Sequence, residues 1–161
     1  VEDPPFQHAA ALELGAALYG LAAAVVRRMP REISLTAVAT LSALERHGPQ
    51  RLTQLAALQG VTQPSMSWLV SRLEEEGLAE RRDDPTDGRA VLVALTPAGR
   101  RYMSARRRHG AERLAAVIRQ LEDDQARALR DALPALVLVA QLTDAEADQL
   151  AGCTTAAAGR R

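Results

Sequence analysis

Gly77-Leu78-Ala79-Glu80-Arg81-Arg82-Asp83-Asp84-Pro85-Thr86-Asp87-Gly88-Arg89-Ala90-Val91-Leu92-Val93-Ala94-Leu95-Thr96-Pro97-Ala98-Gly99 holds three local signals in succession. Residues 78–81 and 91–95 are short strand-like runs, and the Asp-, Pro- and Gly-rich stretch 83–88 between them has turn chemistry, so the segment predicts a β-hairpin. Thr96-Pro97 then opens a helix, with threonine placed to cap and proline in the first turn, where its missing N–H costs nothing. Gly77 is the natural stop of whatever helix precedes the hairpin.

Upstream, Thr62 is placed to cap a helix with Pro64 in its first turn and Met66, Leu69, Val70 and Leu73 on one apolar stripe. Leu52, Leu55, Ala56 and Leu58 form a shorter apolar face that Gly60 closes. Two short helices around a tight glycine turn are the sequence form of a helix-turn-helix. Before them, Ser34 or Thr36 can cap a helix carrying Val38, Leu41 and Leu44, and residues 6–29 form an Ala- and Leu-rich helix ended by Pro30. Downstream, a long helix is expected to about Gln120 and another from about Glu122 to Leu142, kinked at Pro134. Thr143 and Glu146 have capping-box spacing for one more, and a frayed tail is expected from Cys153.

The composition agrees with a mostly helical chain. Of 161 residues, 47% are apolar but only 2% aromatic, so the core must be aliphatic, and Ala, Leu, Glu and Arg favour helix over sheet. Formal net charge is zero, yet residues 51–108 carry 10 Arg against 7 acids, whereas 121–150 carry 2 Arg against 7. All 20 basic residues are Arg, compatible with compositional bias or with bidentate phosphate and base contacts. The lone Cys153 excludes an intramolecular disulfide and fits a reducing compartment. The longest nearly apolar stretch, residues 14–26, falls short of the roughly 20 needed to span a bilayer and lacks signal-peptide features, so a cytoplasmic protein without membrane contact is expected.

On a helical wheel the stripe of Met66, Leu69, Val70 and Leu73 leaves Pro64, Ser67, Trp68, Ser71 and Arg72 on the opposite face. Hydroxyls, an Arg and an outward Trp suit a major groove; the plainer alternative is a solvated face with one stray Trp. In the hairpin, Arg81, Arg82 and Arg89 can set positive charge along a DNA backbone, with Arg89 reaching a minor groove and Asp87 orienting it through an ion pair. A surface hairpin with weak ion pairs is the competing reading.

The order of elements, and above all residues 77–82, 84–90 and 95–99, resembles the MarR family of bacterial transcription regulators. The likeness extends over roughly residues 6–142 in layout and is motif-level over 52–99. It implies a mainly α fold with a small β-hairpin wing: a winged helix-turn-helix head over residues 34–96, and dimerisation helices over 6–30 and 97–150. Residues 151–161 form the expected disordered tail of this single unit. It also implies a triangular homodimer whose two heads meet successive major grooves of a palindromic operator, about 34 Å apart. By the same match Thr62, Gln63, Ser65, Ser67 and Trp68 fall in the recognition helix, and Asp87 and Arg89 at the wing tip. Where family members often carry Arg, this chain has Trp68.

The function implied is a sequence-specific regulator of double-stranded DNA, a repressor released by a small aromatic effector bound near Tyr19, Ala39 and the start of the helix after Pro97. Two rivals belong to other classes. An enzyme finds little support: His8, His47 and His109 are scattered, and no catalytic triad, metal-ligand spacing or phosphate loop appears. No cofactor or metal is therefore expected. A helical dimerisation or partner-binding module that has lost DNA binding is the other, and salt dependence of binding separates it from a DNA-binding protein.

Overall fold

The computed structural model describes the backbone of residues 5–30, 32–85 and 87–158, and side chains within these except 5–7, 87–89 and 147–158. Seven helices and a three-stranded sheet follow one another as α1 (Pro5–Arg28), α2 (Leu35–His47), β1 (Gln50–Arg51), α3 (Leu52–Leu58), α4 (Gln63–Glu75), β2 (Ala79–Asp84), β3 (Asp87–Leu95), α5 (Pro97–Ile118), α6 (Asp123–Asp131) and α7 (Leu133–Ala158). Ser34, rather than Thr36, caps α2 by accepting from the Ala37 N–H at 3.1 Å. Gly60, at φ 61°, makes the turn between α3 and α4, a left-handed conformation that a side chain would strain.

The expected hairpin forms and is longer than its apolar runs suggest. Its strands pair antiparallel from Ala79 opposite Leu95 to Asp84 opposite Asp87, with an irregularity between Asp83 and Asp84. A third strand joins it: β1 pairs Gln50 with Val93 and Arg51 with Leu92, giving the sheet order β1-β3-β2. Two residues carry no periodicity, so sequence pattern cannot disclose such a strand.

The core lies wholly in the head. Leu41, Leu44, Leu55, Met66, Val70, Leu73 and Val93 are all buried to within 2% of complete exclusion, and Met103 of α5 closes the cluster from one side. Among the described residues, none of the buried cluster comes from α1, α6 or α7. Leu12, Leu14, Tyr19, Leu21 and Val26 on α1 stand exposed, as do Leu133, Val137, Leu138, Val139 and Leu142 on α7.

Four expectations for the flanking helices are corrected. Pro134 does not kink one helix but divides two: α6 ends at Asp131 and α7 begins at Leu133, because proline has no N–H to give the carbonyl four residues back. The separate helix expected at Thr143 merges into α7, where the Thr143 hydroxyl instead donates to the Val139 carbonyl at 2.9 Å. Helix α7 also runs on to Ala158 through three consecutive alanines, the best helix formers, where a frayed tail was expected. Finally, the apolar stretch of α1 is longer than residues 14–26: His8–Arg28 has a mean hydropathy of 1.8 and suffices by length and composition to cross a bilayer.

Candidate nucleic-acid interface

Helix α4 begins where Thr62 accepts from the Ser65 N–H at 3.4 Å, its hydroxyl also lying 2.9 Å from Ser65 Oγ. Met66, Leu69, Val70 and Leu73 fix its inner side in the core. Gln63, Pro64, Ser65, Trp68 and Arg72 are then exposed, while Ser67 and Ser71 are partly covered from one flank. Trp68 is 64% exposed, as the wheel requires, and the Arg72 guanidinium lies 5.6 Å from its ring centroid, within cation–π range. Arg72 also pairs with Glu76, one helical turn on, at 3.4 Å.

The wing is tied to α4 by Arg81. Its backbone N–H donates to Glu74 Oε1 at 2.9 Å and its guanidinium pairs with the same carboxylate, reaching the Ser67 carbonyl at 3.5 Å and Ser71 Oγ at 3.4 Å. Arg81 is thus a brace between helix and wing, a partnership with Glu74 that sequence reading missed because the two stand seven residues apart across a turn. Arg82 is exposed and its Nε donates to Glu80 at 2.8 Å. The side chains of Asp87 and Arg89 lie outside the described residues.

A second tie anchors the turn end of the hairpin to the head. Asp84 is only 7% exposed and takes an ion pair from Arg51 of β1 at 2.9 Å. A buried carboxylate needs such a partner, since burial otherwise disfavours its charge. The third tie is the motif at residues 95–99. The Thr96 hydroxyl donates to the Gly77 carbonyl at 2.7 Å and accepts from the Gly99 N–H at 2.9 Å, while the Thr96 N–H donates to Leu78 O at 3.1 Å. A Cβ on Gly99 would stand 2.1 Å from Leu78 O, so only glycine lets α5 start this close to the end of α4 and the wing. Helix α5 is held to α2 as well by Arg107, whose Nη2 donates to Glu45 at 3.1 Å; that hydrogen bond holds the Glu45 carboxyl below its ordinary pKa.

Behind α4 opens a cavity of about 700 Å³, bounded by Met29 and Pro30 at the end of α1, Ile33 before α2, Trp68 and Arg72 of α4, and Arg106 of α5. Tyr19 and Ala39, the neighbourhood expected for an effector, do not line it. Tyr19 is instead 79% exposed on α1.

A family model described as MarR family matches residues 32–90, which span α2, the helix-turn-helix and most of the wing. An uncharacterised HTH-type transcriptional regulator of Mycobacterium leprae is 32% identical over 123 residues, covering 76% of this chain and 86% of the relative. The chain belongs to the MarR family. The HTH-type transcriptional repressor NicR of Pseudomonas putida is 36% identical to this MarR-family chain over 66 residues, 41% of it and 42% of the relative. The crystal structure of RV1404 from Mycobacterium tuberculosis matches it with a TM-score of 0.59 at 28% identity, covering 85% of this chain and 94% of that one. As a MarR-family winged-helix protein it is a DNA-binding transcriptional regulator.

Proposed function

We propose that this MarR-family protein is a homodimeric repressor of a palindromic operator, with α4 entering the major groove and the wing following the adjacent backbone, and that a small molecule releases it. The observation that carries the reading is the build of α4: a capped helix fixed by four buried residues and braced to the wing by Arg81, with its polar side left open. Thr62, Gln63, Pro64, Ser65, Ser67, Trp68, Ser71 and Arg72 supply the groove contacts, and Arg82, Asp87 and Arg89 those of the wing. Arg81 acts by positioning. Repression is favoured by the likeness to NicR. The apolar faces of α1 and α7 supply the dimer interface, so the hydropathy of α1 serves subunit packing and the protein works in the cytoplasm beside the chromosome. No reaction is assigned to it, and the effector site is moved from the neighbourhood of Tyr19 and Ala39 to the cavity behind α4.

The test is fluorescence anisotropy with duplex DNA selected by the protein from a random-site pool. Saturation at two protomers per site is expected, with log K falling linearly as log salt rises. Arg89→Ala should weaken binding to every sequence and flatten that slope, whereas Ser67→Ala should alter base preference. Absence of binding at low salt would sink the reading in favour of a partner-binding module.

A further inference from the structure

Glu45 and Arg46 are neighbours at the C-terminal end of α2, and each fastens a different helix to the head. Consecutive side chains on a helix of roughly 3.6 residues per turn point about 100° apart, so the two reach in different directions. Glu45 accepts from Arg107 Nη2 of α5 at 3.1 Å, whereas Arg46 Nη1 donates to Asp144 Oδ1 of α7 at 2.8 Å. Arg106, the neighbour of Arg107, donates to the Pro30 carbonyl at 3.1 Å, where α1 leads into α2. Helix α2 is itself embedded in the core through Thr40, Leu41 and Leu44. Its last turn is thus the joint at which a rigid head meets the helices assigned above to the dimer. Helix α7 also runs against α3, the first helix of the helix-turn-helix, so a change in its angle is felt beside α4.

We propose that Arg46 and Asp144 are positioning residues: their ion pair sets the angle between the head and α7, and through it the number of base pairs between the half-sites that the dimer selects. The inference rests on the dimeric operator reading above and adds to it the contact that meters head separation. The lever is long enough. Between Leu133, on the apolar face of α7, and Asp144 lie about 16 Å of helix at 1.5 Å per residue. A swing of about 12° over that length displaces the head by about 3.4 Å, the rise of one base pair. With the two side chains 38% and 56% exposed, the pair adds little to stability, so breaking it frees the joint and leaves the core folded. Neither residue belongs to α4 or the wing, so the sequence read within each half-site is unaffected and spacing alone responds.

Two measurements test it. The first is binding to a series of duplexes that carry the selected half-site twice, with the gap varied one base pair at a time. Wild type should favour one gap by about tenfold or more over its neighbours, and Arg46→Glu should flatten that preference to about twofold or move its optimum. The double variant Arg46→Glu/Asp144→Arg should restore it. Arg108→Glu is the control for charge alone, because Arg108 pairs with Glu112 at 2.8 Å within α5 and joins no two elements; its gap preference should match wild type. The second needs no DNA: the head-to-head distance from paired nitroxides at Glu75→Cys, an exposed position, in a Cys153→Ala background. One narrow distribution is expected for wild type and the double variant, and a broad or displaced one for Arg46→Glu. An unchanged gap preference and distance in Arg46→Glu, or an equal change in Arg108→Glu, would overturn the inference while the operator reading stands. If the distances respond as expected but no duplex binds, the operator reading falls and the joint remains. If wild type gives no distance between subunits, the dimer and the joint fall together.

Discussion

Gly99 stands where the start of α5 meets the end of α4, and its missing Cβ would lie 2.1 Å from Leu78 O, a closer approach than at any other described glycine. The obstructing atom is backbone and has no rotamer to move away, so Gly99→Ala should cost toward the upper end of the roughly 1–3 kcal/mol typical of overpacking, read as a shift of the urea midpoint. Thr96→Val, which removes a cap and the hydrogen bond its hydroxyl donates to the Gly77 carbonyl without adding bulk, should cost about 1–2 kcal/mol. An unchanged midpoint in either variant would mean that α5 is not locked to the head here. Sequence alone identified Thr96 and Pro97 as a helix start because capping is local. It had no access to the reason for Gly99, which lies in a carbonyl 21 positions back. Trp68 divides the same way: its outward direction follows from four apolar neighbours on its own helix, but its place on the cavity wall depends on α1 and α5. Thr62, likewise expected as a cap, was legible because its partner Ser65 is three residues on.

Elements held by local chemistry were legible and those held by distant pairing were not. Helices α2 to α5 and the hairpin follow from caps, glycine turns and apolar period, while β1 exists only because β3 offers it an edge. That two-residue strand nonetheless brings Arg51 to the buried Asp84, which ties the turn end of the wing to the head. Arg51→Met should cost about 1–3 kcal/mol, since it removes the charged hydrogen bond that Arg51 gives a mostly buried carboxylate. Its DNA affinity should fall further than the same loss of stability produces in a core variant such as Leu44→Ala, because the wing loses its angle; equal affinity loss at matched stability would remove that role. The α2–α5 tie is testable by pH. The folded Glu45 pKa lies below its unfolded value of about 4.3, so the contribution is complete above that value and is lost as pH falls through the lower, folded pKa. Both partners are partly exposed, so Glu45→Gln should cost well under about 1 kcal/mol at pH 7, and the difference should vanish as pH falls through the folded pKa, a convergence that paired denaturation curves would detect.

At the scale of the molecule the chain is divided into a head that owns a core and three helices that own none. Every described residue of the buried cluster lies between Ala37 and Met103, whereas α1 and α7 expose leucines and valines in rows. Rows of that size are rare on a free surface and are stable only when covered. On the dimer proposed above, a second copy of the same chain supplies the matching apolar faces, so α1 and α7 should gain much of their order from association, in addition to the Arg46–Asp144 ion pair at 2.8 Å that holds α7 to α2. Two consequences separate this from a monomer with idle helices. Thermal unfolding followed at 222 nm should move to higher temperature as protein concentration rises, and at the lowest concentrations helix content should fall while the head, followed through Met103 and Val93 methyl resonances, stays folded. Leu138→Glu, on an exposed face of α7, should produce the dilute-state behaviour at every concentration and lower operator affinity by at least about 100-fold, because two heads joined in one particle bind adjacent half-sites with a large effective concentration that single heads lack. A midpoint independent of concentration, with Leu138→Glu still binding at wild-type affinity, would show that the helices are covered by something other than a second copy.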